Sequence, residues 1–225
     1  RDKIVTHFKE PYFQLLRWYW FVETIPRDCA LDKMIALIKD TDKSESDPGN
    51  YRPIFLQDIP VMKVIDRICN TRLQTWITGP DHPLAPEQGG FIAKRGTGEQ
   101  SFALRELACH FTDSKKPFCA AFIDCKSCFD RVARPLMMVK LHEKGVRDKI
   151  WRIIRAVYKG TCVSIGTYLL DVLCGVREGG VSSPTLFILW IDDLVRKLKE
   201  ANIGARLIFI LICSLLYADD IVMRC

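Results

Sequence analysis

Histidine is scarce in this chain. The four present, at 7, 82, 110 and 142, are scattered and form no pair at ligand spacing. Only one Cys-x-x-C occurs, Cys125 to Cys128, so the ten cysteines make no recognisable four-ligand zinc framework. Long apolar runs are missing too. The longest near-continuous one, Leu207 to Ala218, is twelve residues, short of the roughly 18 that a membrane-spanning helix needs, and no membrane partner is expected. A secretory leader is not visible at the start, so the expected location is intracellular, in the nucleus, the cytoplasm or both. No internal repeat stands out. A strong charge of one sign is also lacking. Lys plus Arg is 33 against 27 Asp plus Glu, a net +6, which permits a polyanionic partner without demanding one. Most cysteines sit within apolar runs, as in Phe118-Cys119-Ala120 and Leu211-Ile212-Cys213, and read as buried free thiols in a reducing compartment.

What is present is enough to fold. The 225 residues are 48% hydrophobic and 27% charged. That length makes one large domain or two small ones, able to bury roughly 70–75% of the unfolded chain's surface. The chain begins at Arg1 rather than Met and is read as a fragment. Residues 1–40 mix helical apolar spacing with four adjacent aromatics, Trp18 to Phe21. These are expected to be core, although such a cluster could also stack bases. The segment Lys39 to Asn50 is charged and turn-rich and reads as an exposed loop.

Helical periodicity runs from Ile59 to Trp76 and over 99–112. Phe118 to Ile123 is a short apolar run ended by Asp124, the pattern of a buried strand that delivers a carboxylate at its C-terminal end. Helices are expected over Pro135 to Lys144 and Asp148 to Lys159. A hairpin is expected over Thr161 to Cys174, around Gly166. Ser182 or Ser183 as cap, followed by Pro184, starts a helix through Lys199. Leu207 to Leu216, then Tyr-Ala-Asp-Asp, then Ile221 to Met223 reads as strand, tight turn, strand. Separate helices and hairpins point to an α+β fold.

Three carboxylates call for a chemical reason. Asp124 ends one apolar strand, and Asp219 and Asp220 sit in a turn between two others. A carboxylate beside an apolar core is costly without a partner cation. Two acidic strand ends side by side would suit Mg²⁺, a hard ion held by one or two carboxylates plus substrate phosphates. A metal pair of that kind clamps the attacking and leaving oxygens of a displacement at phosphorus. Each aspartate could equally be a turn residue. The pair Asp192-Asp193 lies in the helix after Pro184, where Arg196 and Lys197 stand four residues on. It is expected to face solvent and is not assigned to metal.

Five segments stand in one order: Asn50-Tyr51-Arg52-Pro53-Ile54; Gln88-Gly89-Gly90-Phe91 with Arg95-Gly96-Thr97; Phe122-Ile123-Asp124 with Phe129-Asp130; Gly175-Val176-Arg177-Glu178-Gly179-Gly180 with Ser183-Pro184; and Tyr217-Ala218-Asp219-Asp220. Together they resemble the reverse transcriptase domain of non-LTR (LINE-type) retrotransposons, over about residues 15–225. The resemblance implies an RNA-directed DNA polymerase that adds dNTPs to a primer 3′-OH by a two-metal mechanism. Its cofactor would be two Mg²⁺ ions, with Mn²⁺ as an alternative. Its partners would be an RNA template, a DNA primer at nicked target DNA, and dNTPs; the oligomeric state is left open. It implies metal binding and catalysis at Asp124, Asp219 and Asp220, and sugar selection at Phe129. Triphosphate or template would be approached by Arg52, Arg95, Gly179 and Gly180. The implied architecture is right-hand fingers and partial palm, with an antiparallel palm sheet packed on helices and the thumb absent. The segments would be an N-terminal extension and charged loop at 1–50, fingers at 51–117 and palm at 118–225.

Three residues depart from the family pattern. Ser127 stands where the family has Lys, Glu178 where it has Gln, and Ser182 where an apolar residue is usual. With the chain's two ends, they lead to the expectation that this fragment binds nucleic acid weakly and extends a primer poorly or not at all. Three alternatives stay open: a non-catalytic nucleic-acid-binding relic of the same fold, a reverse transcriptase of the group II intron maturase or telomerase kind, and a two-metal nuclease. The nuclease reading accounts for neither Phe129 nor the Arg52 and Arg95 boxes.

Overall fold

The computed structural model describes residues 2–26, 31–57, 60–80, 84–177, 179–207 and 209–224. It divides into two compact units, each discontinuous in sequence. One comprises residues 1–70 and 133–183, the other 71–132 and 184–225. The mixture of helices and small sheets agrees with the α+β expectation. Among the described residues no helix is long and apolar enough to cross a membrane.

The first unit opens with helix α1 (Asp2–Val22), followed by strands β1 (Leu31–Ile38) and β2 (Tyr51–Gln57). Helix α2 (Pro60–Ile77) begins here. Helices α4 (Arg134–Glu143) and α5 (Asp148–Tyr158) and strands β4 (Cys162–Ile165) and β5 (Tyr168–Asp171) complete it; α3 belongs to the other unit. Its sheet has the order β2-β1-β4-β5. All neighbours are antiparallel except β1 and β4, which run parallel. The expected hairpin around Gly166 is there, as Cys162 pairs with Asp171 and Ile165 with Tyr168. In α5, Ile153, Ile154, Val157 and Tyr158 are buried, while Lys149, Arg152 and Arg155 are not. That is the stripe a helical period produces.

One buried ion pair ties this sheet to a loop. Arg177 donates through Nη2 and Nε to the Asp32 carboxylate at 2.5 and 3.1 Å. Their side chains are 2% and 4% exposed. Nearby, Asp66 of α2 accepts from the Val181 and Ser182 amides at 2.6 and 3.2 Å and from the Ser182 hydroxyl. Ser182 therefore has a buried polar partner of its own.

The second unit holds α3 (Thr97–Asp113), β3 (Ala120–Asp124), most of α6 (Ser183–Glu200), β6 (Ala205–Leu207), β7 (Ile210–Ile212), β8 (Leu215–Tyr217) and β9 (Asp220–Arg224). An antiparallel sheet runs β3-β9-β8, and β6 pairs with β7 separately. Leu107 and Phe111 of α3 cluster with Ala205, and Phe118, Leu207 and Ile212 pack on them. Leu186 to Leu189 on α6 are wholly buried.

Five expectations need correcting. The aromatic cluster is not core: Trp18 is 54% and Phe21 80% exposed, and Tyr19 and Trp20 are half-buried. Residues 31–38, within the stretch read as helically spaced, form a strand paired with 51–57, because each supplies the other's backbone hydrogen bonds. Leu207 to Leu216 is not one strand. Leu207 ends β6, Ile210–Ile212 is β7 and Leu215–Tyr217 is β8, and β7 and β8 join different sheets. Few described cysteines are buried: Cys69 and Cys213 are, whereas Cys109, Cys119 and Cys174 are exposed. Asp192 does not face solvent. It is fully buried, four residues from Ile188 and three from Val195, both on the same helical face and equally buried. Its charge is met by the Ala85 amide at 2.7 Å and Arg196 Nε at 3.0 Å.

Candidate active site

The three acidic residues singled out from the sequence lie in the second unit. Strand β3 ends at Asp124, which stands in register opposite Asp220, the first residue of β9. Tyr217 pairs with Asp220, so Ala218 and Asp219 form a two-residue turn. Hence Asp124 and Asp220 are neighbours across one ladder, and Asp219 adjoins them. The Cys128 thiol senses the group as well. Its pKa is pushed up to about 12, first by burial, then by Cys125, and then by the negative charges of Asp219 and Asp124.

This strand is not buried as the sequence suggested. β3 is an edge strand, Phe122 is 74% exposed, and Asp124 is exposed. Asp219 is half-buried and Asp220 exposed. Among the described residues, none forms an ion pair with these three carboxylates. Nor, among the described residues, do three or more His, Cys, Asp or Glu side chains converge as a preformed metal site. Hard oxygen donors without a protein cation nevertheless fit Mg²⁺, which takes one or two carboxylates from protein and further oxygens from phosphates and water.

The turn adopts an unusual backbone. Ala218 has φ +62°, a left-handed conformation that costs a residue with a Cβ roughly 1–2 kcal/mol. Two-residue hairpins need positive φ at such positions and usually place Gly, Asn or Asp there. What holds Ala218 is the Gln88-Gly89-Gly90 segment. The Ala218 amide donates to Gln88 Oε1 at 3.1 Å, and Gln88 Nε2 donates to the Ala218 carbonyl at 3.5 Å. Gln88 is 0% exposed, and its Oε1 also accepts from the Gly90 amide at 2.8 Å. The Gly89 amide donates to Leu216 O at 2.8 Å, and the Leu216 amide to Glu87 O at 3.0 Å. A Cβ on Gly90 would lie 2.9 Å from Ala218 Cα and 3.0 Å from the Tyr217 carbonyl carbon. Only glycine lets these backbones meet.

Sequence reasoning quoted this segment but gave Gln88 and Gly90 no task. The two adjacent glycines after an amide side chain were the available signal.

Phe129 lies in the same unit. Its ring stacks on Phe187 at 4.1 Å and meets Phe91 edge-on at 6.2 Å. Arg95 donates from Nη1 to Gln88 O at 2.8 Å and pairs with Glu99 at 3.0 Å. Ser127 takes φ +53°.

The other sequence-derived candidates belong to the first unit. Arg52 is in β2 opposite Leu37; its side chain lies outside the described part of the chain, as does Glu178. Gly179 has φ +77°. A Cβ on Gly180 would come 2.9 Å from Arg177 O, so the loop's own folding requires glycine there.

Comparison with known proteins fits this arrangement. The chain is 26% identical over 192 residues to the "RNA-directed DNA polymerase from mobile element jockey" of Drosophila melanogaster, a match covering 83% of this chain and 20% of that protein. It is 28% identical over 183 residues to the Pol polyprotein of a type-1 retrotransposable element R1 of Bradysia coprophila, covering 79% and 17% respectively. It thus spans about a fifth of the length of these relatives. Among solved structures, telomerase from Candida albicans superposes with a TM-score of 0.59 at 11% identity, covering 94% of this chain and 40% of that one; this likeness concerns the fold. The family described as "Reverse transcriptase (RNA-dependent DNA polymerase)" matches residues 38–225, most of the chain, and to that family the protein belongs.

Proposed function

We propose that this chain is the catalytic part of an RNA-directed DNA polymerase that extends a DNA primer on an RNA template. The observation that carries the reading is the ladder setting Asp124 opposite Asp220, with Asp219 in the adjoining turn. In this reading residues 51–117 serve as fingers and 118–225 as palm, after an extension at 1–50. The primer 3′-oxygen forms a bond to the dNTP α-phosphorus, the α–β phosphoanhydride breaks, pyrophosphate leaves, and the 3′-hydroxyl proton passes to solvent. Mg²⁺, when bound by these carboxylates, would supply charge neutralisation at the attacking and leaving oxygens.

The protein's share is positional. Asp124 and Asp219 would hold the ions, with Asp220 beside them. Phe129, its ring fixed by Phe187, stands against a ribose 2′-oxygen. Arg52 and Arg95 approach triphosphate or template. Arg95 would exchange Glu99 for phosphate at little cost, because surface ion pairs contribute about 0–1 kcal/mol. Gly179 and Gly180 leave bare backbone for nucleic acid.

The test is primer extension on an RNA template, with purified chain at high enzyme concentration. Slow extension that EDTA removes and Asp219→Asn abolishes is the expected result. Extension that survives either would overturn the site assignment. RNA binding without extension, and without Mn²⁺ uptake that depends on Asp219, would assign the chain to the non-catalytic alternative.

A further inference from the structure

We propose that Gln88 is a positioning residue for the acidic turn: its side-chain amide clamps the strained Ala218 backbone, which the missing Cβ of Gly90 lets come close, and so sets where Asp219 points. The proposal rests on the reading of those aspartates as metal-holding groups. Three independent features converge on it.

The first is strain. Ala218 is held left-handed, and nothing in its own side chain favours that state. The second is complementarity. One buried primary amide meets both polar groups of Ala218, accepting from its N–H and donating to its carbonyl. A carboxylate could only accept, and a thioether accepts weakly and cannot donate. The third is register. The Gly89 amide and Leu216 carbonyl, with the Leu216 amide and Glu87 carbonyl, join segment 87–89 to β8 as a short parallel bridge. Gln88 therefore reaches the turn from a fixed base, and Arg95 Nη1 braces its carbonyl.

The consequence is specific. Asp220 is anchored by pairing with Asp124 and Tyr217. Asp219 has no ladder partner. Its direction follows from the peptide before it, and Gln88 fixes that peptide. Loss of the clamp frees the turn to relax towards other hairpin geometries and swings Asp219 away from Asp124 while the fold remains.

The experiment uses the 225-residue chain and needs no catalysis. Backbone hydrogen exchange at the Ala218 amide reads the clamp, and Mn²⁺ titration followed by electron paramagnetic resonance reads the carboxylates. Gln88→Met, of similar volume, removes both polar contacts. It should speed exchange at Ala218 roughly ten- to thirtyfold, as expected for losing about two hydrogen bonds from a local opening equilibrium, and weaken Mn²⁺ binding. Gln88→Glu keeps the acceptor and loses the donor, so it should fall between. Ala218→Gly in the Gln88→Met background takes the left-handed state without the Cβ penalty and should restore part of the Mn²⁺ affinity. A purely packing role for Gln88 predicts no such rescue. Should Asp219→Asn weaken Mn²⁺ binding while Gln88→Met leaves it unchanged, the positioning proposal is overturned. Should Asp219→Asn itself change nothing, the metal reading fails, and the exchange rate of Ala218 in Gln88→Met still reports separately whether the clamp exists. A folded Gln88→Met chain with unaltered exchange at Ala218 would dispose of the clamp outright.

Discussion

Replacing Phe129 by alanine separates two roles that a single ring could fill. The ring is half-buried, stacked on the wholly buried Phe187 at 4.1 Å with 23° between planes, and 6.2 Å edge-on from Phe91. Deleting a fully buried phenylalanine costs about 3–5 kcal/mol, and each aromatic pair contributes about 0.5–1.5 kcal/mol beyond area. Half-burial scales the first figure to about 1.5–2.5 kcal/mol, and the two aromatic pairs bring the sum for Phe129→Ala to about 2.5–5.5 kcal/mol. Phe129→Leu keeps most of the apolar volume and should cost about 1 kcal/mol. Urea denaturation of the purified chain measures both. A loss below about 0.5 kcal/mol for the alanine variant, the range of ordinary surface changes, would show that the ring does not pack as described. The proposed sugar-selecting role gives a different pattern. A gate acts by repulsion against the 2′-hydroxyl, so both variants should admit ribonucleotides more readily, out of proportion to their stability losses. Ribonucleotide incorporation that follows stability alone would leave Phe129 a packing residue only.

Asp32→Leu strands the Arg177 cation in a buried setting and should cost about 3–5 kcal/mol in urea denaturation, with much of it recovered by adding Arg177→Met; equal losses in the single and double variants would refute the pairing. Asp192→Ala leaves the Ala85 amide without its acceptor and should cost about 1–3 kcal/mol, whereas a solvent-facing aspartate there would cost almost nothing. Glu23 accepts from Arg152, and this contact holds its carboxyl below the usual carboxylate range. Its contribution is complete above the unfolded-state value of about 4.3 and is lost as pH falls through the lower folded value. Glu23→Gln should therefore flatten the acid limb of thermal stability, and an unchanged profile would show that the contact does not persist.

The sequence made the helices plain because their apolar residues repeat with the helical period. α2, α3, α4 and α5 begin and end within a few residues of expectation. The acidic group was legible for a different reason. An apolar run that stops at Asp124, and another that turns at Asp219, limit where carboxylates can go, and strand pairing then brings them together. Long-range pairings were not legible. β1 and β2 stabilise each other across a turn-rich loop, and neither carries a strict alternation. Asp192 looked solvated because its neighbours in sequence are basic, yet its neighbours on the helix face are Ile188 and Val195. Gln88 was hidden most completely. Beyond the two glycines that follow it, nothing local distinguishes an amide that will grip a backbone 130 residues further along the chain.

The distance along the chain between Gln88 and Ala218 also sets a clock. The two are 130 residues apart, and their contact is among the long-separation contacts that form slowly because loop closure precedes any reward. On a ribosome adding roughly 5–20 residues per second, the Gln88 cradle emerges about 7–26 s before the turn it must hold. Throughout that interval a polar side chain destined for complete burial, and the edge of β3 that awaits β9, stand open to water and to other chains. The acidic turn is thus completed well after the segment that holds it, and the order of synthesis, as much as the final geometry, decides how many copies acquire it.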